Sequence, residues 1–394
     1  FNPGKITDAP KMDDRSLFRF APGYKIDDFP TRLNWNAWPG AAGGLQGAVE
    51  MCNNNGACRK LEGGVMCPSF RATHDERDST RGRANSLRLA LSGQLGPDAL
   101  ASDAMAETMK LCVSCKACKR ECPTGVDMAR MKIEVTALRT ETKGLSFHDW
   151  LVAHLPRYAP YMAAMAPVIR LRDIVPGAAW LSEKLTGFTA RRPLPRWQRR
   201  WFRDNELPQT PNKGVKSTSE KLPLLLFIDS FNRYFEPENL RAAIRVFQAT
   251  GYDVFVPSPT DNGRPLCCGR TYLSTGLIDR ARDEAGRLAK TLAPFARAGI
   301  PIVGLEPSCT LALRDEIPAL LNNQDAKDVA SATFTFEELL ARDKPSLSFR
   351  SNKSKALLHG HCHQKAFNAV QPIEEVLSWI DGLEVEKIET SCCG

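Results

Sequence analysis

A run of cysteines at residues 111–123 leaves this chain fewer options than anything else in it. The stretch reads LCVSCKACKRECP and places Cys112, Cys115, Cys118 and Cys122 at the spacing C-x2-C-x2-C-x3-C-P. Three thiolates that close wrap one face of a 4Fe-4S cube, while the fourth, turned aside before its proline, reaches across to another cluster. A second set of cysteines is therefore required. It lies upstream in residues 51–69, MCNNNGACRKLEGGVMCPS, where Cys67 precedes Pro68 as Cys122 precedes Pro123. The crossing rule assigns Cys112, Cys115, Cys118 and Cys67 to one cluster and Cys52, Cys58 and Cys122 to the other. That second set is one thiolate short, because Asn55 stands midway between Cys52 and Cys58. Asn55, water or another side chain then fills the gap, or a three-iron cluster forms. Zinc is the rival reading, but it asks for two separated cysteine pairs rather than three in a row. For Cys52 and Cys58 the plain alternative is a pair of small buried apolar residues.

At 394 residues the chain is long enough for several domains with ample core. Thirteen cysteines is a high and odd number. They fall in tight motifs rather than a spread disulfide framework, and the opening carries no signal-peptide pattern. A reducing compartment, by default the cytoplasm, and metal-bound thiolates follow. The net charge of +8 favours acidic partners or a membrane surface without implying nucleic acid. The longest uncharged apolar stretch, Tyr158 to Ile169, is broken by prolines and too short to span a bilayer. An opening at Phe1 and a stop at Gly394, in the middle of a motif, suggest a piece of a longer protein.

Pattern and composition divide the chain into four. Residues 1–44, rich in Pro, Gly, Asp and Asn, read as a connecting arm, with Trp35 and Trp38 as packing aromatics or anchors. Residues 45–144 read as a helical domain whose cysteines sit in loops at helix ends. Helices are expected over Ser86 to Leu95, Met105 to Leu111 and Val126 to Leu138. Arg77, Arg81, Arg83 and Arg88 lie near Cys67 in the sequence and read first as a solvated helix face, or as an offset to cluster charge. Residues 145–220 form a proline-broken amphipathic linker that includes RRPLPRWQRRWFR at Arg191 to Arg203. Its arginines and aromatics suit an anionic membrane surface or an acidic partner, or simply pack on neighbouring domains.

From residue 221 onward apolar runs alternate with helical patterns, the signature of an α/β unit on a largely parallel sheet. Strands are expected at Leu224 to Ile228, Tyr252 to Pro257 and Ile300 to Leu305. Helices are expected at Glu238 to Thr250, Gly276 to Ala298, Cys309 to Leu321 and Glu337 to Arg342. The scheme then restarts with a strand at Ala356 to His359, a helix at Ile373 to Ile380 and a strand at Leu383 to Ile388. Cysteines recur in step: Cys267-Cys268-Gly269 and Cys309 in the first half, Cys362 and Cys392-Cys393-Gly394 in the second. Two CCG triplets at matching places read as an internal repeat. Adjacent cysteines do not readily bond each other but both reach an external metal, and the glycine allows the tight backbone this needs. Ser230 stands where the first half would match Cys362, so a cluster there borrows a ligand from the second half or accepts one that is not a thiolate. His359, His361 and His363 crowd around Cys362. On a strand His361 and His363 share a face, and they suit a role in metal binding, hydrogen bonding to sulfur or proton transfer. His74, His148 and His154 read as ordinary packing.

Taken together these motifs resemble the C-terminal iron-sulfur half of bacterial FAD-linked 2-hydroxyacid dehydrogenases. The nearest type is the fused D-2-hydroxyglutarate or D-lactate dehydrogenase, related to the glycolate oxidase iron-sulfur subunit. The resemblance rests on LCVSCKACKRECP, MCNNNGACRK, GVMCPSF leading to DERDSTRGRANSLRLALSG, and the opening FNPGKI. The CCG triplets resemble the cysteine-rich domains of heterodisulfide reductase. The resemblance implies an α-helical ferredoxin-like two-cluster domain followed by duplicated α/β cysteine-rich (CCG) repeats, the second one cut short. It also implies an FAD and substrate domain ahead of Phe1, so no catalytic base or substrate residue can be named in this stretch. Electrons would pass from reduced flavin through one or two 4Fe-4S clusters, with a further one at the CCG motifs, to a quinone or electron carrier. The expected location is the cytoplasm, with peripheral contact at the inner membrane. Two other classes remain: a heterodisulfide-reductase-like enzyme working at Cys267, Cys268, Cys392 and Cys393, and a zinc-stabilised binding module.

Overall fold

A computed structural model describes residues 29–38, 43–208, 221–259, 261 and 263–392. The opening FNPGKI, most of the connecting arm, Cys393 and Gly394 lie outside the described residues. The chain divides into two compact units, Phe1–Arg139 and Thr140–Gly394.

The first unit is helical. Its elements are α1 (Gly44–Glu50), α2 (Pro68–Thr73), α3 (Thr80–Leu91), α4 (Asp103–Lys110), α5 (Ala117–Glu121) and the greater part of α6 (Met128–Lys143), with a short 3-10 turn at Ala57–Arg59. Helix α3 starts earlier than its apolar spacing suggests, because the Ser79 hydroxyl accepts from the Gly82 N–H and caps it. Gly82 is required there, since a Cβ would collide with the Glu76 carbonyl. Ser102 caps α4 in the same way, accepting from Met105. Residues 29–38 are tied down by one carboxylate. Buried Glu134 on α6 accepts from the N–H groups of Arg32 and Leu33 and from Trp35 Nε1 at 2.8–3.1 Å. Trp35 is buried, and the Arg130 guanidinium lies 4.9 Å from both its ring and that of Trp38.

The second unit opens with helices α7 (Phe147–Ala164), α8 (Ala166–Ile169), α9 (Leu171–Ile174) and α10 (Ala178–Thr186). There follow β1 (Leu222–Phe227), α11 (Ser230–Tyr234), α12 (Pro237–Ala249), β2 (Tyr252–Phe255), α13 (Arg270–Ser274), α14 (Ile278–Arg297), β3 (Ile302–Gly304), α15 (Pro307–Arg314), α16 (Glu316–Leu321), α17 (Gln324–Ala332), β4 (Thr333–Thr335) and α18 (Phe336–Asp343). These strands make one parallel sheet in the order β2-β1-β3-β4. β1 is continuously apolar at its centre because helices cover both faces of a parallel sheet. Then come β5 (Lys355–Leu358), α19 (Cys362–Ala366), α20 (Gln371–Ser378) and β6 (Glu384–Lys387), with β5 and β6 forming a separate parallel pair. Leu224, Leu226, Phe247, Val254, Val303 and Leu339 build the main core, and Val376 of α20 joins it.

Two local expectations are corrected, and one alternative for the arginine linker's aromatics is met. The helix expected over Cys309 to Leu321 breaks at Asp315, because Pro318 has no N–H and its ring clashes with a carbonyl one turn back. His361 and His363 do not lie on a strand: β5 ends at Leu358, and His361 is the N-cap of α19. The aromatics of the arginine linker face inward. Trp197 packs 4.3 Å from Phe235, Trp201 lies against Tyr234, and Phe202 is fully buried. β4 escapes sequence reading because three residues carry no alternation.

Candidate metal centres

The loop from Cys112 to Cys118 is bent by two residues in the left-handed region, Ser114 (φ 53°) and Lys116 (φ 61°). With that bend Cys112, Cys115 and Cys118 line one cavity together with Cys67, and Met66, Pro68, Ala117 and Met128 make apolar walls. Glu121 joins the two distant stretches. Its carboxylate accepts from the N–H groups of Val65 and Met66 at 2.7 and 2.9 Å, pinning the approach to Cys67 onto the helix that holds Cys118. Gly64 has φ 63°, which favours glycine, and a Cβ there would also press on the Glu121 carboxylate.

Arg83 departs from the solvated-face reading. It is fully buried, with Nη1 3.8 Å from Cys67 Sγ and hydrogen bonds to the carbonyls of Asp78 and Thr108 and to Ser69. Its charge is only loosely matched by Asp78, 3.5 Å away. Arg77, by contrast, is not buried. Burial, with Asp127, Cys115 and Cys112 nearby, pushes the Cys118 thiol well up. Thiols crowded in this way ionise together only around a cationic centre, and that is what the donor set fits.

In the second set, Cys58 lies within electrostatic reach of Cys67 and Cys52, and burial is the main reason its thiol is raised. The Arg81 N–H at the start of α3 points at Cys58 Sγ from 3.4 Å. Cys122 behaves differently. Burial raises it, but the Thr124 hydroxyl at 3.3 Å and the N–H groups of Val126, Thr124 and Gly125 outweigh that and lower it. Asn55 is exposed, and its Oδ1 accepts from the Ala57 N–H. The neighbour that does approach is Asn54, whose Oδ1 is 4.0 Å from Cys52 Sγ and accepts from Asn85. In a run of three asparagines nothing in the sequence picks out the middle one.

The second unit gathers a further set. Cys268 Sγ is 3.3 Å from Cys309 Sγ, and Cys267 Sγ accepts from the Gly269 N–H at 3.4 Å. Gly269 has φ 75°, and a Cβ there would press on the Ala281 carbonyl of α14. The adjacent Cys268 thiol and burial raise Cys267, and Cys309 is held at about 11, its hydrogen bond with Cys268 being outweighed by burial and by Asp229. The helix of Cys309, α15, packs on α19, which Cys362 opens. Arg270 of α13 ties α16 to α19, pairing with Glu316 at 2.5 Å and donating to His363 Nε2 at 3.2 Å. His361 serves α19 by accepting from the His363 N–H. His359 bonds the Thr390 hydroxyl, and Cys392, partly exposed, lies just beyond it in sequence. Ser230 and Cys362 occupy like places, each the first residue of a five-residue helix after a strand. Among the described residues no disulfide forms, and no three His, Cys, Asp or Glu side chains converge tightly enough for one metal ion. A cube whose thiolates bind different irons asks instead for a thiol-lined cavity. The residues at Cys67, Cys112, Cys115 and Cys118 fit that requirement.

Residues 48–126 match the family model of the 4Fe-4S dicluster domain. The D-2-hydroxyglutarate dehydrogenase of Pseudomonas putida is 26% identical over 87% of this chain and 37% of its own length. One subunit of the anaerobic glycerol-3-phosphate dehydrogenase of Escherichia coli K12 is also 26% identical, over 66% of this chain and 65% of its own length. A Bacillus subtilis protein named probable glycolate oxidase iron-sulfur subunit is 22% identical over 83% of this chain and 76% of its own. The chain thus spans 37% of the length of the Pseudomonas putida relative. No solved structure matches it. It carries an iron-sulfur region homologous to parts of these dehydrogenases.

Proposed function

We propose that this chain is the electron-conducting part of an FAD-dependent dehydrogenase of the D-2-hydroxyglutarate, D-lactate or glycolate class. The observation that carries this reading is the cavity lined by Cys67 and by Cys112, Cys115 and Cys118, from stretches far apart in sequence, inside the region that matches the dicluster model. Oxidising a 2-hydroxy acid to a 2-oxo acid releases two electrons and two protons, and the FAD domain that accepts them would belong to the rest of a longer polypeptide. A 4Fe-4S cluster, when bound, takes up and passes on one electron at a time.

Each residue has a part in that role. Cys67, Cys112, Cys115 and Cys118 would hold the first cluster, and Met66 and Met128 would keep water from it. Arg83 would place a buried positive charge beside Cys67. Cys52, Cys58 and Cys122 would hold a second cluster, with Asn54 rather than Asn55 as the nearer oxygen donor. Cys267, Cys268 and Cys309, with Cys362, would hold a further one, to which Cys392 and Cys393 of the second triplet are the other candidates. The 3.3 Å approach of Cys268 to Cys309 also keeps open a heterodisulfide-reductase-like activity at that site. The outward acceptor would be a quinone or an electron carrier, on the cytoplasmic side.

Anaerobic purification tests this. A brown protein with iron and acid-labile sulfide, bleached by dithionite and paramagnetic when reduced, is expected. Cys115→Ser should remove one cluster's iron and its EPR signal. Colourless protein that holds zinc, or an unchanged signal in that variant, would sink the assignment.

A further inference from the structure

Helices α7 to α10 present an apolar surface that the second unit leaves uncovered. α7 buries a narrow face of small residues, Ala159 and Ala163, against Tyr234 and Phe235. Its other side turns Phe147 and Tyr161 outward, and the following helices expose Val168, Ile174, Trp180 and Leu185. Tyr161 and Ile174 are each 70% exposed, which is far from core packing. α8 packs on α7 and α9, and α10 on α7 and α9, so the helices that carry these side chains form one packed group. Scattered exposed apolar residues mean little, but several large ones gathered on one packed group of helices mark an interaction face.

Charge says what it meets. Residues 147–200 hold nine lysines and arginines against Asp149, Asp173 and Glu183, a net +6 of the chain's +8. The arginine segment runs along α7, with Phe188 4.6 Å from His148 and Trp197 6.4 Å from Tyr158. Arg191, Arg192, Arg196, Arg199 and Arg200 on it are exposed. We propose that α7 to α10 and this segment dock flat on an anionic lipid surface, the apolar side chains entering the headgroup boundary and the arginines meeting phosphates. No described helix is long and apolar enough to cross a membrane. A second copy of the chain is the poorer occupant, because it would bring the same positive charge against this one. The docking uses none of the cysteines; it deepens the electron-transfer reading by setting the acceptor in lipid, where quinones dissolve.

The test is flotation of the intact protein, in the full length in which it is made, with phosphatidylcholine vesicles lacking or containing phosphatidylglycerol. It should float with the anionic vesicles only, and less as salt rises. The double variants Ile174→Glu/Trp180→Glu and Arg191→Glu/Arg192→Glu should each partition at least about tenfold more weakly, with circular dichroism and iron content unchanged. Intact protein that ignores anionic vesicles, or variants that float as well as the parent, would overturn the proposal. So would a dimer, seen by light scattering, that Ile174→Glu/Trp180→Glu dissociates. Protein that floats but carries no iron would remove the electron module and leave the docking standing.

Discussion

Arg83 combines three things rarely found together: complete burial, hydrogen bonds to two carbonyls, and a sulfur of the candidate metal centre 3.8 Å away. Replacing it with methionine strands the buried Asp78 carboxylate and both carbonyls. Breaking a buried ion pair from one side costs about 3–5 kcal/mol, so Arg83→Met should lower the unfolding free energy of the anaerobic protein, read from urea titration, by that order. In the fraction that folds, loss of the positive charge should also move the first cluster's midpoint potential downward, read by EPR-monitored redox titration. An unchanged potential would make Arg83 a packing residue only. Which arginine takes this role was not legible beforehand. In the stretch from Arg77 to Arg88 four arginines look alike, and only the packing of α3 sends Arg83 fully inward while Arg77 keeps its contact with water.

Among the elements, α14 does more than cover the sheet. Its buried Glu284 receives Arg157 from α7 at 3.5 Å, Arg287 from its own next turn at 3.1 Å, and Arg264 from the loop before the CCG triplet. Glu284→Ala should cost about 3–5 kcal/mol and raise amide exchange in α7, as measured by mass spectrometry. Arg287 also holds Asp261, and together with the Gly263 N–H it keeps that carboxyl at about 2. A depressed carboxyl stabilises the fold above its unfolded value of about 4 and loses that contribution as pH falls toward 2. Asp261→Asn should therefore flatten the acid limb of thermal stability across that window; an unchanged limb would mean the pair is not held in solution. Long amphipathic elements such as α12 and α14 could be read from spacing alone, because one apolar face repeats with every turn. The break at Asp315 and the three-residue β4 could not: one depends on where a proline falls within a helix, the other on a neighbouring strand.

For the molecule as a whole, the two units should depend on metal to different degrees. In the first, α2 and α5 have six and five residues, and lengths like these do not hold in water by themselves. What ties their loops together is seven cysteines and a few carboxylates such as Glu121 and Glu134. The main core of the second unit contains no cysteine. Chelating the iron anaerobically, under reducing conditions, should therefore speed amide exchange across residues 44–139, while β1 to β3 keep their protection. Equal loss in both units would contradict this division.

Spacing by itself carried the chemistry of this chain. Cysteines three and four apart with a proline behind the last restrict which metal groups can be held, whatever the fold, because ligand separation along a short loop is set by covalent geometry. The alternation of apolar runs after residue 221 likewise announced a parallel sheet, since buried strands and amphipathic helices leave different periods. Only the tertiary structure could decide which residues from distant stretches meet. Glu121 brings Cys67 to its cavity, Asn54 rather than Asn55 turns toward Cys52, and Arg270 links α13 to α19. The linker's aromatics turn inward and leave its arginines outside. Such meetings depend on packing summed over whole elements, and no local pattern encodes that sum.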